Sequence, residues 1–232
     1  MRAIEFDTGP LISLTLNNLL SIVEPLKERF KGHFHITSDV KREIIDKPLT
    51  TKKFKFEALQ VLHYINNGTF EIVDSREINE LTNRMLEFAN NSFNAFGNNI
   101  TIVQRAEISA VASCIHHEGQ AVVVDERTTR LMVENPDRLH NILKHRLHSN
   151  VKMNSGSIKE FSKITKGIRM IRSVELVTMA YEMGMLDQYI AEIPDSKKML
   201  LEGILWGVKL QGCAVSRDEI EQIMRMELKG KN

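Results

Sequence analysis

The spacing of apolar residues predicts a chain in which short strands alternate with helices. Apolar-leaning runs at residues 3–6, 34–37, 70–73 and 121–124 are too short for helices and favour strands. The last run is apolar throughout, as in a strand that is buried on both faces. Elsewhere apolar residues recur every three or four positions, and the helices predicted from this spacing are 10–23, 39 onward, 54–66, 76–90, 101–116, 173–184 and 217 onward.

Capping and turn residues sharpen the ends of these elements. Residues of the type that begin helices stand before three of the predicted helices, at Ser38, Thr101 and Ser216. Residues 90–99 contain five Asn and one Gly and predict a loop, whereas residues 154–157 favour a hairpin turn. Alternating strands and helices predict an α/β fold with a parallel central sheet and helices on both of its faces.

Length and composition place the chain among ordinary globular proteins. It has 232 residues, of which 42% are apolar and 26% charged, and we expect one domain spanning residues 1–232. Two cysteines are too few for a disulfide framework, and the N-terminus lacks the pattern of a signal peptide. No stretch is long and apolar enough to cross a membrane. We therefore expect a cytoplasmic protein without a membrane partner.

The net charge of +1 excludes a protein that is held on nucleic acid by its overall charge. The distribution is nevertheless uneven, because residues 138–172 carry nine basic residues and one acid. This region favours two interpretations, a solvated basic insertion at about 135–168 or an arm that contacts phosphates. The candidate nucleic-acid-binding residues are Arg138, Lys144, Arg146, Lys152, Lys159, Lys163 and Lys166.

Four acids carry the candidate chemistry. Asp7 and Asp125 each follow a predicted strand, and ligands of open parallel sheets bind beyond such strand ends. Glu107 shares the apolar face of its helix, and Glu43 lies about one turn into the helix after the second strand. Each acid alone is explained by a helix cap, an ion pair or solvation. Together in one crevice they would repel one another unless a divalent cation such as Mg²⁺ or Mn²⁺ neutralised them.

Four segments, in order, resemble the PIN-domain family of metal-dependent ribonucleases, which includes the toxins of toxin–antitoxin pairs. They are FDTGPLI at 6–12, ITSDVKREI at 36–44, RAEISA at 105–110 and VVDERTTR at 123–130. Residues 175–184 are also similar to the closing helices of that family. The resemblance implies a three-layer α/β/α domain that binds one or two Mg²⁺ or Mn²⁺ ions.

The same resemblance implies a role for each acid. It implies Asp7, Glu43, Glu107 and Asp125 as catalytic residues, the metal ligands among them being Asp7, Glu107 and Asp125. Thr8 is implied to help orient Asp7, and Glu126 stands where many members have a second aspartate. The sequence therefore predicts a metal-dependent endoribonuclease that hydrolyses RNA phosphodiester bonds.

Two other functions stay open at this point. One is a catalytically weak, PIN-like RNA-binding scaffold in an RNA-processing or ribosome-assembly complex, and the other is a flap-type nuclease acting on DNA. The expected partners are RNA, a protein partner such as an antitoxin, and a second copy of the chain in a homodimer. The adjacent His116 and His117 have no cysteine or histidine at ligand spacing, and we expect no metal site there.

Overall fold

The computed structural model describes residues 2–229. Its strands are β1 Ala3–Phe6, β2 His33–Thr37, β3 Glu71–Val73, β4 Phe93–Ala95, β5 Asn98–Asn99, β6 Ala121–Val123, β7 Lys152–Met153 and β8 Met170–Ile171. Five of them form a parallel sheet in the order β3-β2-β1-β6-β8, and the other three form a smaller antiparallel sheet in the order β5-β4-β7.

Helices cover both faces of the parallel sheet. They are α1 Thr8–Leu16, α2 Val23–Phe30, α3 Ser38–Lys41, α4 Lys47–Leu49, α5 Lys55–Asn66, α6 Arg76–Asn90, α7 Arg105–His116, α8 Arg127–Glu134, α9 Pro136–Leu147, α10 Ser155–Ile164, α11 Ser173–Glu182, α12 Ser196–Leu210 and α13 Arg217–Lys229. A π-helical turn, Arg42–Asp46, joins α3 to α4. The predicted three-layer α/β/α arrangement with a central parallel sheet is confirmed.

Two hydrophobic cores lie on opposite faces of the sheet. Successive strand residues point to opposite faces, and Val122 and Val123 accordingly belong to different cores. The first core is built on packed rings of Phe6, Phe34 and Phe70, with Phe6 centroids 5.1 and 5.2 Å from the other two. Helices α1, α5, α11 and α12 cover this core, whereas α6 to α10 cover the second.

Local patterns placed several elements correctly. The strand at 3–6 and the helix at 76–90 have the predicted bounds. Ser216 begins the last helix as expected, because its backbone N–H donates to the carboxylate of Glu219 at 2.8 Å. In return the Glu219 N–H donates to the Ser216 hydroxyl at 3.1 Å.

Three predicted helix starts and ends are wrong. The helix predicted at 10–23 is broken, since α1 ends at Leu16 and Asn18 adopts a left-handed conformation with φ of 56°. The second helix is capped by Thr37 rather than Ser38, because Thr37 Oγ1 accepts from the backbone N–H of Val40. Helix α7 opens at Arg105, four residues after the Thr101 start that its spacing suggested.

The two predicted turn regions also differ from expectation. Residues 90–99 contain the β4–β5 hairpin rather than only a loop. Residues 154–157 form no hairpin turn, because the Asn154 side chain accepts from the Ser157 N–H and begins helix α10. Five helices were not predicted at all, namely α2, α8, α9, α10 and α12.

The basic region at 135–168 folds as α9, β7 and α10. Leu139, Leu143, Val151 and Phe161 of this region are buried in the second core. Strand β8 follows it and takes the edge position beside β6. The region is thus packed through its apolar side chains against the remainder of the fold.

Within residues 2–229, every helix is too short or too polar to span a bilayer.

Candidate active site

A cleft of about 250 Å³ opens where β1 and β6 end. The two strands pair in parallel with Phe6 opposite Val123, so the residues after them emerge side by side. All four acids and both supporting residues singled out in the sequence line this cleft, namely Asp7, Thr8, Glu43, Glu107, Asp125 and Glu126.

Asp7 is a buried carboxylate with incomplete hydrogen bonding. Its side chain is 3% exposed, and its Oδ2 accepts from the Gly9 backbone N–H at 3.5 Å, at the start of α1. Within residues 2–229 its Oδ1 is buried and has no hydrogen-bond partner. Burial, together with the nearby charges of Glu107 and Glu43, raises the pKa of Asp7 to about 8. A group in this condition stabilises either a proton or a cation.

Asp125 is equally buried but fully hydrogen-bonded. Its Oδ2 accepts from the hydroxyls of Ser13 at 2.9 Å and Ser173 at 2.8 Å. Its Oδ1 accepts from the Ser173 backbone N–H at 2.8 Å. The carboxylate therefore ties the end of β6 to α1 and to the first turn of α11.

Glu107 stands in the first turn of α7 and is half-buried. Its Oε2 accepts from the Gln104 N–H at 3.3 Å and from the Thr129 hydroxyl. Burial and the charges of Glu126 and Glu43 raise the pKa of Glu107. Asp7 and Glu107 are thus two neighbouring carboxyls that both resist ionisation in the absence of a cation.

Glu43 and Glu126 form the exposed rim of the cleft. Glu43 lies in the π-helical turn, a distortion that is frequent at functional sites, and its Oε2 accepts from the Thr8 hydroxyl at 3.3 Å. Glu126 caps α8, since its Oε1 accepts from the Thr128 backbone N–H at 3.3 Å. The Thr8 hydroxyl therefore bonds to Glu43, while the contacts to Asp7 come from the backbone N–H groups of Thr8 and Gly9.

The donor set fits a hard divalent cation. It consists of carboxylate oxygens, which are the ligands that Mg²⁺ and Mn²⁺ prefer, and it includes the unpartnered Oδ1 of Asp7. Among the described residues, no three of these acids bring ligand atoms within 4.8 Å of one another. Mg²⁺ commonly binds through one or two carboxylates and keeps its waters, so this wider spacing suits a partly hydrated ion.

The predicted basic residues lie elsewhere. Arg138, Lys144, Arg146, Lys152, Lys159, Lys163 and Lys166 are all exposed, and none of them lines the cleft. Arg172, the last basic residue of the stretch 138–172, is buried and pairs with Glu175 and Glu219, so it is a structural residue.

A groove of about 400 Å³ adjoins the cleft and was not predicted. The two share Thr8, Ile12 and Glu43, and the groove continues along Lys47, Lys53 and Phe54. The Lys53 ammonium lies 4.6 Å from the centroid of the Phe54 ring. The sequence signal for this groove was a diluted basic cluster, which consists of Lys41, Arg42, Lys47, Lys52, Lys53 and Lys55.

Sequence reasoning also missed the residues that complete the cleft. Ser13, Gln211 and Gly212 line it, and Ser173 fixes Asp125. None of them stands in a recognisable motif. Ser13 and Asp125 are 112 residues apart in the chain, so only the fold brings them together.

Comparisons with protein-family models, with curated proteins and with solved structures give no match to this chain. The resemblance to the PIN-domain family accordingly stays a prediction from the four quoted segments. Since α/β/α folds host many unrelated functions, the function has to be argued from the cleft itself.

Proposed function

We propose that this protein is a PIN-type, metal-dependent endoribonuclease and that the acidic cleft is its active site. The observation that carries the proposal is the state of Asp7, a buried carboxylate beside two further acids, one of whose oxygens has no partner within residues 2–229. Burying an unpaired charge is costly, and functional sites are where such costs are commonly found. A divalent cation bound at Asp7 would remove that cost.

The proposed roles follow from burial and hydrogen bonding. Asp7, Glu107 and Asp125 would hold Mg²⁺ or Mn²⁺, which when bound supplies a positive charge for phosphate oxygens and acidifies water. Glu43 is the exposed catalytic carboxylate and acts as the general base, and its hydrogen bond from Thr8 keeps it at the cleft entrance. There it is accessible to accept a proton from the attacking water.

The adjoining groove supports single-stranded RNA as the substrate. Exposed aromatic rings stack on unpaired bases, and lysines neutralise the backbone phosphates. The half-buried ring of Phe54 and the exposed ammonium groups of Lys47 and Lys53 supply an aromatic face and positive charge next to Glu43. The seven exposed basic residues of the 135–168 region would add phosphate contacts outside the cleft.

One observation favours the scaffold alternative. The three hydrogen bonds to Asp125 already occupy most of the lone pairs of its carboxylate. If Asp125 does not reach the ion, the cleft holds fewer direct ligands and RNA could be bound without being cleaved. Cleavage and binding must therefore be measured separately.

The decisive experiment is cleavage of an end-labelled, mixed-sequence single-stranded RNA in Mn²⁺ or Mg²⁺. We expect cleavage that stops with excess chelator and falls more than about 100-fold in Asp7→Asn. Glu87→Gln, at an exposed acid on α6, is the matched control and should retain full activity. Metal-dependent binding without cleavage would favour the scaffold, and cleavage of only a flapped DNA would favour the DNA nuclease.

RNA binding to the chelated protein separates the two candidate surfaces. Phe54→Ala should weaken binding by about 1–3 kcal/mol, while Phe56→Ala, at an exposed ring outside the groove, should not. Replacing Lys159, Lys163 and Lys166 with Ala should lower the log–log salt slope by about 0.7 for each lost phosphate contact. An unchanged slope would make the basic region a solvated surface only.

Compartment and assembly belong to the same proposal. Both cysteines, Cys114 and Cys213, are free and buried, as expected for a protein of the reducing cytoplasm. The expected homodimer is tested by sedimentation of the full chain, and an antitoxin-like partner by its inhibition of RNA cleavage. Neither outcome alters the roles proposed for the cleft residues.

A further inference from the structure

A second group of ligating side chains lies on the α7 face of the sheet and takes no part in the acidic cleft. It consists of Glu5 on β1, His35 on β2 and His117 just after α7. Glu5 Oε1 lies 2.9 Å from His35 Nδ1 and 3.5 Å from His117 Nδ1. The candidate ligand atoms of all three residues lie within 4.8 Å of one another.

The fold holds this group in place. Glu5 stands opposite His35 in the parallel β1–β2 register, so their side chains share one face. Helix α7 crosses that face, and Ser113 donates from its hydroxyl to Glu5 Oε2 at 2.9 Å. Ser113 Oγ also lies 3.2 Å from His117 Nδ1. Ser113 therefore orients Glu5 through the carboxylate oxygen that faces away from the two histidines, as the outer partners of metal ligands commonly do. Its contact with His117 Nδ1 gives way when that nitrogen binds the ion.

Burial makes the group unusual. Glu5 and His35 are 0% and 2% exposed, whereas 20% of the His117 side chain is exposed. A carboxylate in the middle of a sheet is costly unless it is paired. The partial exposure of His117 leaves an entry path from solvent to the two buried side chains.

We propose that Glu5, His35 and His117 bind a divalent metal ion of the zinc class, at a site separate from the acidic cleft. Zinc binds imidazole nitrogen and carboxylate oxygen at roughly 2.0–2.2 Å, so neighbouring ligands of a tetrahedral ion lie about 3.3–3.5 Å apart. The Glu5–His117 distance of 3.5 Å fits already. The Glu5–His35 hydrogen bond must lengthen by about half an ångström, and solvent supplies the fourth ligand.

The two sites would select different ions. Imidazole nitrogen suits zinc, whereas a site of carboxylates alone suits Mg²⁺ and Mn²⁺. Two histidines and one glutamate at this site contrast with the five acids that line the cleft. The proposal therefore does not depend on the nuclease function.

An overlapping group provides the internal control. His33, His35 and Glu71 also have ligand atoms within 4.8 Å of one another. Glu71, however, already pairs with the Lys27 ammonium at 2.9 Å, and both His33 and Glu71 are more than 40% exposed. A metal there would have to displace a cation from a solvated carboxylate, so we assign the ion to the buried group.

Calorimetric titration of the full chain with Zn²⁺, in excess Mg²⁺ to occupy the cleft, tests the assignment. We expect one zinc ion per chain and a loss of affinity of more than about 100-fold in His117→Gln. Ser113→Ala, which removes the orienting hydroxyl, should lose about 10–100-fold. His33→Gln and Asp7→Asn should bind zinc as the wild type does.

The choice of His117 protects the test from misfolding, because its side chain is partly exposed and circular dichroism can verify the fold of each variant. Zinc binding that survives in His117→Gln but is lost in His33→Gln would move the ion to the overlapping group and overturn the proposal. Loss in Asp7→Asn alone would place the zinc in the cleft, with the same consequence. No saturable zinc binding by the wild type up to millimolar Zn²⁺ would also overturn it.

Discussion

Asp7 and Asp125 follow adjacent parallel strands and are both 3% exposed, yet their surroundings are opposite. Asp125 accepts three hydrogen bonds, from Ser13 and Ser173. Asp7 has only backbone contacts, from Thr8 and Gly9, and leaves Oδ1 without a partner among the described residues. The role of a carboxylate at a strand end therefore depends on how many hydrogen bonds it accepts, and not on its position alone.

The comparison separates a structural role, that of Asp125, from a functional role, that of Asp7. Hydrogen bonds to a buried carboxylate stabilise the fold, and those of Asp125 join β6 to α1 and α11. A buried carboxylate near other acids destabilises the metal-free fold, as expected for Asp7. Sites that trade stability for function commonly show this pattern.

The largest expected effect is a pH dependence of the free energy of unfolding that is caused by Asp7. Its pKa of about 8 in the folded protein lies above its ordinary value of 3.8, so the folded state retains a proton that the unfolded state releases. Stability is then fully present below about pH 4, falls as pH rises and levels off above about pH 8. Each pH unit in that window costs at most about 1.4 kcal/mol.

Urea unfolding in excess chelator measures this dependence. We expect the wild type to lose stability between pH 5 and pH 8 by up to about 4 kcal/mol, and Asp7→Asn to lose much less. The Asp7→Asn variant should still lose some stability as the pH rises, because the pKa of Glu107 is also raised in the folded protein. Equal pH profiles for the two proteins would contradict the contrast between Asp7 and Asp125.

The next largest effect is a loss of stability on removing the charge of Asp125, the opposite of the result expected at Asp7. Asp125→Asn keeps an oxygen for the Ser173 backbone N–H, but it makes three charge-assisted hydrogen bonds neutral and turns the hydroxyls of Ser13 and Ser173 from donors into acceptors. A hydrogen bond to a charged group contributes about 1 kcal/mol more than a neutral one, and we therefore expect destabilisation by about 2–4 kcal/mol at pH 7. Asp7→Asn under the same conditions should be as stable as the wild type or more stable. The urea midpoints of the two variants decide the point.

The difference between the two aspartates also shows where sequence reasoning stops. Local spacing predicted strand 3–6 and helix 76–90 and marked Asp7 and Asp125 as strand-end acids. It could not distinguish them, because Ser173, which bonds both oxygens of Asp125, lies 48 residues further along the chain.

The missed helix α12 has a physical reason of the same kind. Gly203 and Gly207 stand inside it, and interior glycines lower helix propensity by about 1 kcal/mol each. A Cβ at Gly207 would collide with the side chain of Asn17, so the glycine permits close packing of α12 on the end of α1. Tertiary contact thus overrides a local signal against a helix.

The histidines at the end of α7 show why a metal site can escape prediction from the sequence. His116 and His117 have no partner at ligand spacing in the sequence. The partners of His117 are Glu5 and His35, which the β1–β2 register brings together and α7 then covers. Spacing along one segment could not reveal a group that draws on three elements.

The smallest expected effect comes from removing one of the hydrogen bonds to Asp125. Ser13→Ala removes one of its three hydrogen bonds and leaves both bonds from Ser173. We expect destabilisation by about 1 kcal/mol, the ordinary net value of one hydrogen bond, because Asp125 remains partnered. The pH dependence of the variant should match that of the wild type, since Asp7 is unchanged. A double-mutant cycle with Asp125→Asn should give a coupling energy of about 0.5 kcal/mol or more. Additive effects, or a changed pH profile in Ser13→Ala, would show that the two carboxylates are not as independent as their hydrogen bonds indicate.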